Sequence, residues 1–228
     1  MKKIVTGFML IFVLLVSQNI IAQESAAYFK KNITVGVDVF TDFWTNLPAT
    51  LTTRTINQSA NVYAAYNFRL GEKKTGKTIL SLGLGIGNHS LYSKTGFIND
   101  VKADTIQFIP AGTGQSLRRS KMTITSFEIP LELKIRLKKG FHMGVGFKLS
   151  YVFDSKEEFT GTLAPNGPER TIKYKGISRL NTVGYSPTLR FGYKSINIFA
   201  AYQLVPIFQT SHGPALHPIS VGITLTPF

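Results

Sequence analysis

The stretch that decides the fold is FEIPLELKIRLKKGFHMGVGFKLSYVF, residues 127–153. Every odd position from Phe127 to Leu137 is apolar, and the even positions between them carry Glu, Lys, Arg and one Pro. After Lys138-Lys139-Gly140 the same odd apolar series resumes at Phe141. Because successive side chains of a β-strand point to opposite faces, this alternation predicts two strands joined by a tight turn.

The same period of two recurs in six further segments, which occupy residues 33–39, 60–70, 78–87, 185–193, 196–204 and 219–225. The eight predicted strands leave connections near 45–57, 71–77, 93–119, 138–140, 154–176, 194–195 and 209–216. Long and short connections therefore alternate, which is typical of transmembrane β-barrels. An even number of strands also returns both termini to one end, as closure of a single-chain barrel requires.

One face of the predicted strands is almost entirely Leu, Ile, Val, Phe and Tyr, whereas the other is ionisable and rich in glycine. An eight-stranded barrel has an interior just wide enough for side chains, so the apolar face must point outwards to lipid. We therefore predict an all-β, closed eight-stranded antiparallel transmembrane β-barrel with up-and-down topology. Its predicted lumen ion-pair network contains Asp38, Arg69, Glu128, Glu132, Lys134, Arg136, His142, Lys148 and Arg190.

The N-terminus reads as a secretory signal peptide. Met1-Lys2-Lys3 is basic, residues 8–16 (FMLIFVLLV) are apolar, and Ala22 supplies a small residue for cleavage. An uncleaved anchor is the alternative, although the apolar run is short for a bilayer span. We predict a signal peptide at 1–22, a periplasmic lead-in at 23–31 and a barrel at 32–228. This organisation places the protein in the bacterial outer membrane with both termini in the periplasm.

Composition excludes several classes of protein. The chain of 228 residues has no cysteine, which rules out a disulfide scaffold, an iron–sulfur cluster and a cysteine nucleophile. The formal charge of +14 does not indicate nucleic-acid binding, because the sequence lacks the interleaved pattern of basic and aromatic residues that lines a nucleic-acid-binding groove. Much of this charge falls instead on the predicted periplasmic turns, where it would face anionic headgroups. The basic residues at these turns are Lys73, Lys74, Lys77, Lys138, Lys139 and Lys194.

Four stretches resemble the small outer-membrane β-barrel proteins of Bacteroidota, the PorT-like group. These are the Ala-Gln that ends the leader, FEIPLELKIRL at 127–137, GVGFKLSYVF at 144–153 and HPISVGITLTPF at 217–228. The resemblance implies insertion by the outer-membrane assembly machinery, which reads a last strand that ends in an aromatic residue. Phe228 matches that assembly signal, although Pro227 interrupts the strand and Phe228 departs from its odd apolar series. The secretion role of PorT itself is not carried over.

Two interpretations of the ionisable lumen remain open. It is a proton path or an ion-selective pore, or it is a network of ion pairs that fills the barrel. Buried charges are tolerated when they are paired and hydrogen-bonded. Because eight strands leave little room for water, we favour the filled network.

An outer-leaflet lipid A-modifying enzyme is a further alternative. It would need Ser90 with His89, or Ser211 with His212, completed by an acid such as Asp104. Neighbouring residues of a strand point opposite ways, which argues against the pair Ser90 and His89. No metal-ligand cluster, P-loop or dinucleotide motif is present, so we predict no cofactor and no metal. We expect a protein that is not an enzyme.

The long loops at 93–119 and 154–176 are the predicted site of function. We expect a structural, adhesive or partner-binding role, with outer-membrane lipids, lipopolysaccharide or an envelope protein as partners and no nucleic acid. Transport or binding of a small solute or lipid through a narrow lumen is the alternative. Apolar residues within 93–119 suggest that this loop folds back as a hairpin. The alternative is a flexible, solvated loop. The candidate contact residues are Phe97, Phe108, Arg118, Arg119, Lys173 and Tyr174.

Aromatic residues near the predicted strand ends suggest two interfacial girdles. The inner girdle would contain Phe68, Phe141, Tyr193 and Phe228. The outer girdle would contain Phe43, Trp44, Tyr92, Phe153, Tyr185 and Phe208.

Overall fold

A computed structural model of the chain describes residues 32–70, 77–112, 116–162 and 167–226. The predicted signal peptide, the lead-in and Phe228 lie outside the described residues. No helix in the described part is long and apolar enough to cross a membrane.

The described chain contains eleven strands. In chain order they are β1 Ile33–Thr45, β2 Gln58–Leu70, β3 Thr78–Ser93, β4 Gly96–Ile98, β5 Phe108–Pro110, β6 Ser116–Arg136, β7 Phe141–Thr162, β8 Arg170–Lys175, β9 Val183–Tyr193, β10 Ile196–Tyr202 and β11 His217–Leu225. Strands β4 and β5 form a separate small hairpin. Strand β8 pairs with the far half of β7, beyond the part that pairs with β9.

The other eight strands form a closed antiparallel barrel. Each pairs with its neighbours in the sequence of barrel strands, and β1 pairs with β11 to close the ring. The fold prediction is therefore confirmed. The strand ends that flank the short connections lie at one end of the barrel, which we call the turn end; they are Leu70, Thr78, Arg136, Phe141, Tyr193 and Ile196. The opposite strand ends lie at the other end, which we call the loop end; they are Thr45, Gln58, Ser93, Ser116, Thr162, Val183, Tyr202 and His217.

The outer wall is apolar, as the alternation predicts. Val39, Leu84 and Ile198 are 61%, 69% and 60% exposed, whereas Asp38 and Asn197 beside them are buried. Aliphatic side chains exposed to this degree over a whole barrel surface would be a liability in water. They are expected where the wall contacts hydrocarbon.

Glycines on the inner face make room for buried carboxylates. A Cβ at Gly87 would lie 2.3 Å from Oε1 of Glu128, and one at Gly144 would lie 2.1 Å from Oε1 of Glu132. Any larger residue at either position would displace the carboxylate. The alternation of glycine with large apolar residues therefore follows from a narrow interior.

Two strands extend far beyond their predicted limits. Strand β6 begins at Ser116 and β7 continues to Thr162, so the ends of the predicted loops 93–119 and 154–176 are strand. The register skips Phe153, because Thr125 pairs with Asp154 but Ser126 pairs with Val152. This β-bulge reverses the facing of β7, so odd positions beyond it point inwards. The alternation therefore breaks at the point where the predicted strand was ended.

An apolar core fills the loop end of the barrel. It joins residues of the barrel strands to residues from all four loop-end connections, and its members are almost completely buried. They include Trp44, Leu51, Leu91, Ile98, Val101, Ile106, Phe108, Met122, Ile177, Ile207, Phe208 and Leu216.

The aromatic girdles are only partly as predicted. Phe43, Phe153 and Tyr185 of the outer girdle are exposed on the wall, as are Phe68, Phe141 and Tyr193 of the inner girdle. Trp44, Tyr92 and Phe208 are instead 6%, 8% and 1% exposed. Trp44 and Phe208 belong to the loop-end core, and the side chains around Tyr92 cover its ring.

Candidate functional site: the polar lumen and the loop end

Glu128 is the centre of the charged lumen. Its carboxylate is fully buried and accepts hydrogen bonds from Nζ of Lys148 at 2.8 Å and Nδ2 of Asn61 at 2.7 Å. Nε2 of His89 lies 3.3 Å from the same carboxylate. Three donors on one carboxylate are what burial of a charge requires.

His89 links Glu128 to a second buried carboxylate, Asp42. Nδ1 of His89 lies 3.1 Å from Asp42, which also accepts hydrogen bonds from Ser59 and Ser220, both at 2.6 Å. Ionised carboxylates only accept hydrogen bonds, and an imidazole ring between two of them donates from both nitrogens only in its positively charged form. Sequence reasoning missed Asp42 and placed His89 at an outer strand end.

Arg190 organises a second group on the turn-end side. Its guanidinium lies 3.4 Å from Asp38 and 3.4 Å from Glu132. It also lies 5.7 Å from the ring centre of Tyr63 and 5.2 Å from that of Phe199. The lumen is thus filled by aromatic rings as well as by ion pairs, and the sequence analysis did not predict these rings.

Five of the nine residues of the predicted network are in direct contact with one another or with His89. Asp38, Glu128, Glu132, Lys148 and Arg190 are joined in the contacts above, and Arg69 is half-buried on β2.

Lys134 and Arg136 make no ion pair within 4 Å among the described residues, and His142 bonds to Oδ1 of Asn197 instead. All three lie at the turn end, where the lumen opens away from the buried acids.

Neither of the catalytic triads that the enzyme alternative would need is assembled in the described part of the chain. Both ring nitrogens of His89 face carboxylates, and Oγ of Ser90 bonds to Asn88. Nδ1 of His212 lies 2.7 Å from the backbone oxygen of Asp104, but no serine hydroxyl hydrogen-bonds to this ring among the described residues. No group of three His, Asp or Glu residues in the described ranges is placed to hold a metal ion.

The hairpin of β4 and β5 folds over the loop-end mouth, so two predicted contact residues are used internally. Phe108 is buried in the loop-end core, and its ring centre lies 6.3 Å from that of Phe208. Phe97 packs against Phe159 of β7, with 5.0 Å between ring centres. Phe108 is therefore a packing residue and is not available to a partner.

Glu157 anchors this hairpin from β7. It lies beyond the bulge, points inwards and is 2% exposed. The amide of Ile98 donates to its carboxylate at 2.6 Å. Burial raises the pKa of Glu157 to about 7, and the single hydrogen bond from Ile98 only partly opposes this.

Cations surround Tyr92 on the outer surface of the loop end. Arg54, Arg119 and Lys121 lie 5.3, 5.6 and 5.0 Å from the centre of its ring. Tyr92 pairs with Lys121 across β3 and β6, and its even position places it on the same face of β3 as the exposed Leu84 and Ile86. The negative face of an aromatic ring attracts each cation that lies over it, which offsets part of the repulsion between neighbouring cations.

The cations continue across β7 and β8. Glu158 pairs with Lys121 on one side and with Lys173 on the other, and its carboxylate lies 3.3 Å from Arg119 and 3.1 Å from Lys173. Burial opposes its ionisation, but the hydrogen bond from Lys173 and the charge of Arg119 hold the pKa of Glu158 below its usual range. We call this surface the basic band. Its cations are Arg54, Arg119, Lys121, Lys156, Lys173 and Lys175.

Comparisons with known proteins are consistent with a barrel of the outer membrane. A family model described as outer membrane protein beta-barrel domain matches residues 21–211. No curated protein matches the chain. The chain is similar in structure to Ail, the attachment invasion locus protein of Yersinia pestis, solved with the heparin analogue sucrose octasulfate. The identity is 10%, the match covers 86% of this chain and 97% of Ail, and the TM-score is 0.36. The outer membrane protease OmpT of Escherichia coli matches at 12% identity over 86% of this chain and 93% of OmpT, with a TM-score of 0.40.

Proposed function

Because this chain belongs to the outer membrane protein β-barrel domain family, and is therefore a protein of the bacterial outer membrane, we propose that it is a non-enzymatic envelope component that binds lipopolysaccharide through its basic band. In this proposal the turn end and both termini are periplasmic, and the loop end is extracellular. The short turns at one end and the longer loops at the other support this orientation. The leader pattern at 1–22 supports export.

The proposal includes a finer assignment to the PorT-like barrels of Bacteroidota, which the sequence resemblance supports. The most specific stretch, FEIPLELKIRL, overlaps β6 from Phe127 to Arg136 and supplies two of the buried carboxylates of the lumen, Glu128 and Glu132. The proposal includes insertion by the outer-membrane assembly machinery, with Phe228 as the signal. It does not include a role in secretion.

The position of the basic band carries the proposed function. The apolar wall ends near Phe127 and Phe153, and Lys156 lies three residues beyond Phe153, about 10 Å along the strand. At this height the outer leaflet presents the phosphates of lipopolysaccharide. Outward cations just above the hydrocarbon are therefore placed to neutralise these phosphates.

The sealed loop end supports a binding role over a transport role. Among the described residues, an apolar core lies on the loop-end side of the ion pairs, and a hydrated solute would have to cross it. The loop-end connections pack into this core, which favours a defined outer surface for recognition of a partner. Tyr174 is exposed beside Lys173 on β8 and is available for such a contact.

Charge removal tests the proposal. The triple variant Arg119→Gln, Lys121→Gln, Lys173→Gln should bind labelled lipopolysaccharide at least about tenfold more weakly, since each cation near an anionic surface contributes about 1 kcal/mol. The matched control removes the same number of charges at the turn end, as Lys77→Gln, Lys138→Gln, Lys139→Gln. Its affinity should stay within about twofold of the wild type. Equal losses in both triple variants, or no loss in either, would contradict a specific site in the basic band.

A further inference from the structure

The turn end of the lumen contains a cavity with an unusual charge balance. Its volume is about 150 Å³, room for roughly five water molecules at about 30 Å³ each. Residues of seven of the eight barrel strands line it, so it lies inside the barrel and opens at the turn end. The ionisable side chains in its lining are Tyr63, Lys134, Arg136, His142, Arg190 and Lys194.

The lining holds five basic residues and no acid among the described residues. Arg190 is already neutralised by Asp38 and Glu132 on the deeper side. The side chains of Lys134, Arg136 and Lys194 make no ion pair within 4 Å in the described ranges. The lysine deeper in the lumen, Lys148, is in contrast bonded to Glu128. Lys134 is half-buried and interacts with Glu132 and Asp38 only from beyond 4 Å, so this end of the lumen favours an added negative charge.

A second feature of the cavity points to a ligand with acceptor atoms. Tyr63 is 5% exposed, lines the cavity and has a hydroxyl with no hydrogen-bond partner among the described residues. Buried hydroxyls are normally paired, so a free donor beside unpaired cations needs an explanation. The guanidinium of Arg190 lies over the ring of Tyr63, 5.7 Å from its centre.

The neighbouring strand β1 makes room for the ring of Tyr63. A Cβ at Gly36 would lie 2.6 Å from the hydroxyl oxygen of Tyr63 and 2.4 Å from Cζ. Glycine at this position therefore lets the ring of Tyr63 lie over β1 on the inner face of the barrel. The hydroxyl makes no hydrogen bond to any described residue.

We propose that the turn-end cavity binds a phosphate group, held by Lys134 and Arg136 with a hydrogen bond from Tyr63. Lys194 lies at the rim of this cavity, with its Nζ 5.2 Å from the ring centre of Tyr193. A phosphate dianion offers oxygens in several directions, which matches donors that arrive from different strands. Guanidinium and ammonium groups are its usual protein partners. In the proposed orientation the cavity opens to the periplasm, so the phosphate comes from a soluble phosphate compound or from a phospholipid headgroup of the inner leaflet.

Calorimetric titration with inorganic phosphate tests this site on the full-length chain folded in a maltoside detergent. Saturable binding of one phosphate per chain is expected at pH 7.5 and constant ionic strength. Lys134→Gln and Arg136→Gln should each weaken binding at least about tenfold, as loss of a charge-assisted contact predicts. Tyr63→Phe should weaken it by about threefold to tenfold while the heat-modifiable gel band, a marker of the folded barrel, is retained.

Lys138→Gln and Lys139→Gln are the matched controls, because both lysines are exposed at the same end and do not line the cavity. Their affinities should remain within about twofold of the wild type. Absence of saturable binding would overturn the proposal, and so would an equal loss in control and cavity variants. Arg136 is itself exposed, so Arg136→Gln tests the site even if Lys134→Gln does not fold.

Repeating the titration in discs of phosphatidylglycerol separates the two sources of phosphate. Unchanged affinity identifies a soluble phosphate compound, whereas loss of phosphate binding identifies an occupying lipid headgroup. A failure of this site would leave the basic band unaffected, because the two lie at opposite ends of the barrel.

Discussion

Glu128 illustrates at the scale of one residue how a charged group is kept inside a membrane barrel. Alternation along β6 determines that it faces the lumen, and Gly87 on β3 leaves the space that it occupies. Its partners come from β2, β3 and β7, far apart in the sequence. The facing of Glu128 was therefore predictable from β6 alone. Its hydrogen-bond partners were not, because they depend on how neighbouring strands are aligned in register.

Replacing Glu128 with alanine should strongly lower stability. The change leaves Lys148 and His89 buried with reduced compensation, and breaking a buried pair from one side costs about 3–5 kcal/mol. Thermal unfolding followed by the heat-modifiable band measures this loss. Glu169→Ala is the control, because Glu169 forms an ion pair with Arg118 in which the two side chains are 46% and 74% exposed. Exposed pairs contribute little. Similar unfolding temperatures for the two variants would contradict the role of Glu128.

At the scale of elements, the bulge in β7 determines how the loop end is built. Without the extra residue Phe153, Glu157 and Phe159 would face outwards. With it, Glu157 holds the hairpin of β4 and β5 from inside, and Phe159 contacts Phe97. Simple alternation cannot locate a bulge, which is why residues 154–176 were predicted as a loop when much of this segment is strand.

The hairpin should be held more tightly at acid pH. Burial raises the pKa of Glu157 to about 7 from 4.5. The folded state therefore binds this proton more tightly than the unfolded state, and the stabilisation is complete below about pH 4.5 and lost as the pH rises through 7. Glu157→Gln mimics the protonated acid and should stabilise the hairpin at pH 8 by on the order of 2–3 kcal/mol.

Hydrogen exchange of residues 96–110, corrected for intrinsic rates, measures this effect between pH 5.5 and 8. Protection should fall with pH in the wild type and stay constant in Glu157→Gln. Glu158→Gln is the neighbouring control, since the pKa of Glu158 is lowered rather than raised. A pH dependence that persists in Glu157→Gln would show that another group is responsible.

At the scale of the whole molecule, the barrel has two interiors. Ion pairs and aromatic rings fill the lumen behind the lipid-facing wall, and an apolar core fills the loop end. The outer surface changes correspondingly, from an apolar wall to the basic band. The part of the barrel with an apolar outer wall has a polar interior. The loop end has a polar outer surface and an apolar core, as a water-soluble protein does.

Sealing of the barrel predicts that the wild type forms no ion-conducting channel in planar bilayers. A variant in which a short Gly-Ser linker replaces residues 96–110 should also be silent, because Glu128, His89 and Lys148 still fill the lumen. Stepwise conductance from the folded wild type would contradict this and would favour the transport alternative. Conductance in the linker variant alone would place the barrier in the hairpin.

The sequence by itself determined the barrel, because a wall between lipid and a narrow lumen imposes one side-chain chemistry on each face of every strand. It also determined the number of barrel strands and the lumen facing of residues such as Glu128 and Glu132, since these properties are local to each strand. Only the tertiary structure decided which charges are paired, that Phe108 and Trp44 are buried, and that Lys134, Arg136 and Tyr63 line one cavity at the turn end. These features depend on register, on one bulge and on loops folding across the mouth, and each of them joins residues that are distant in the chain.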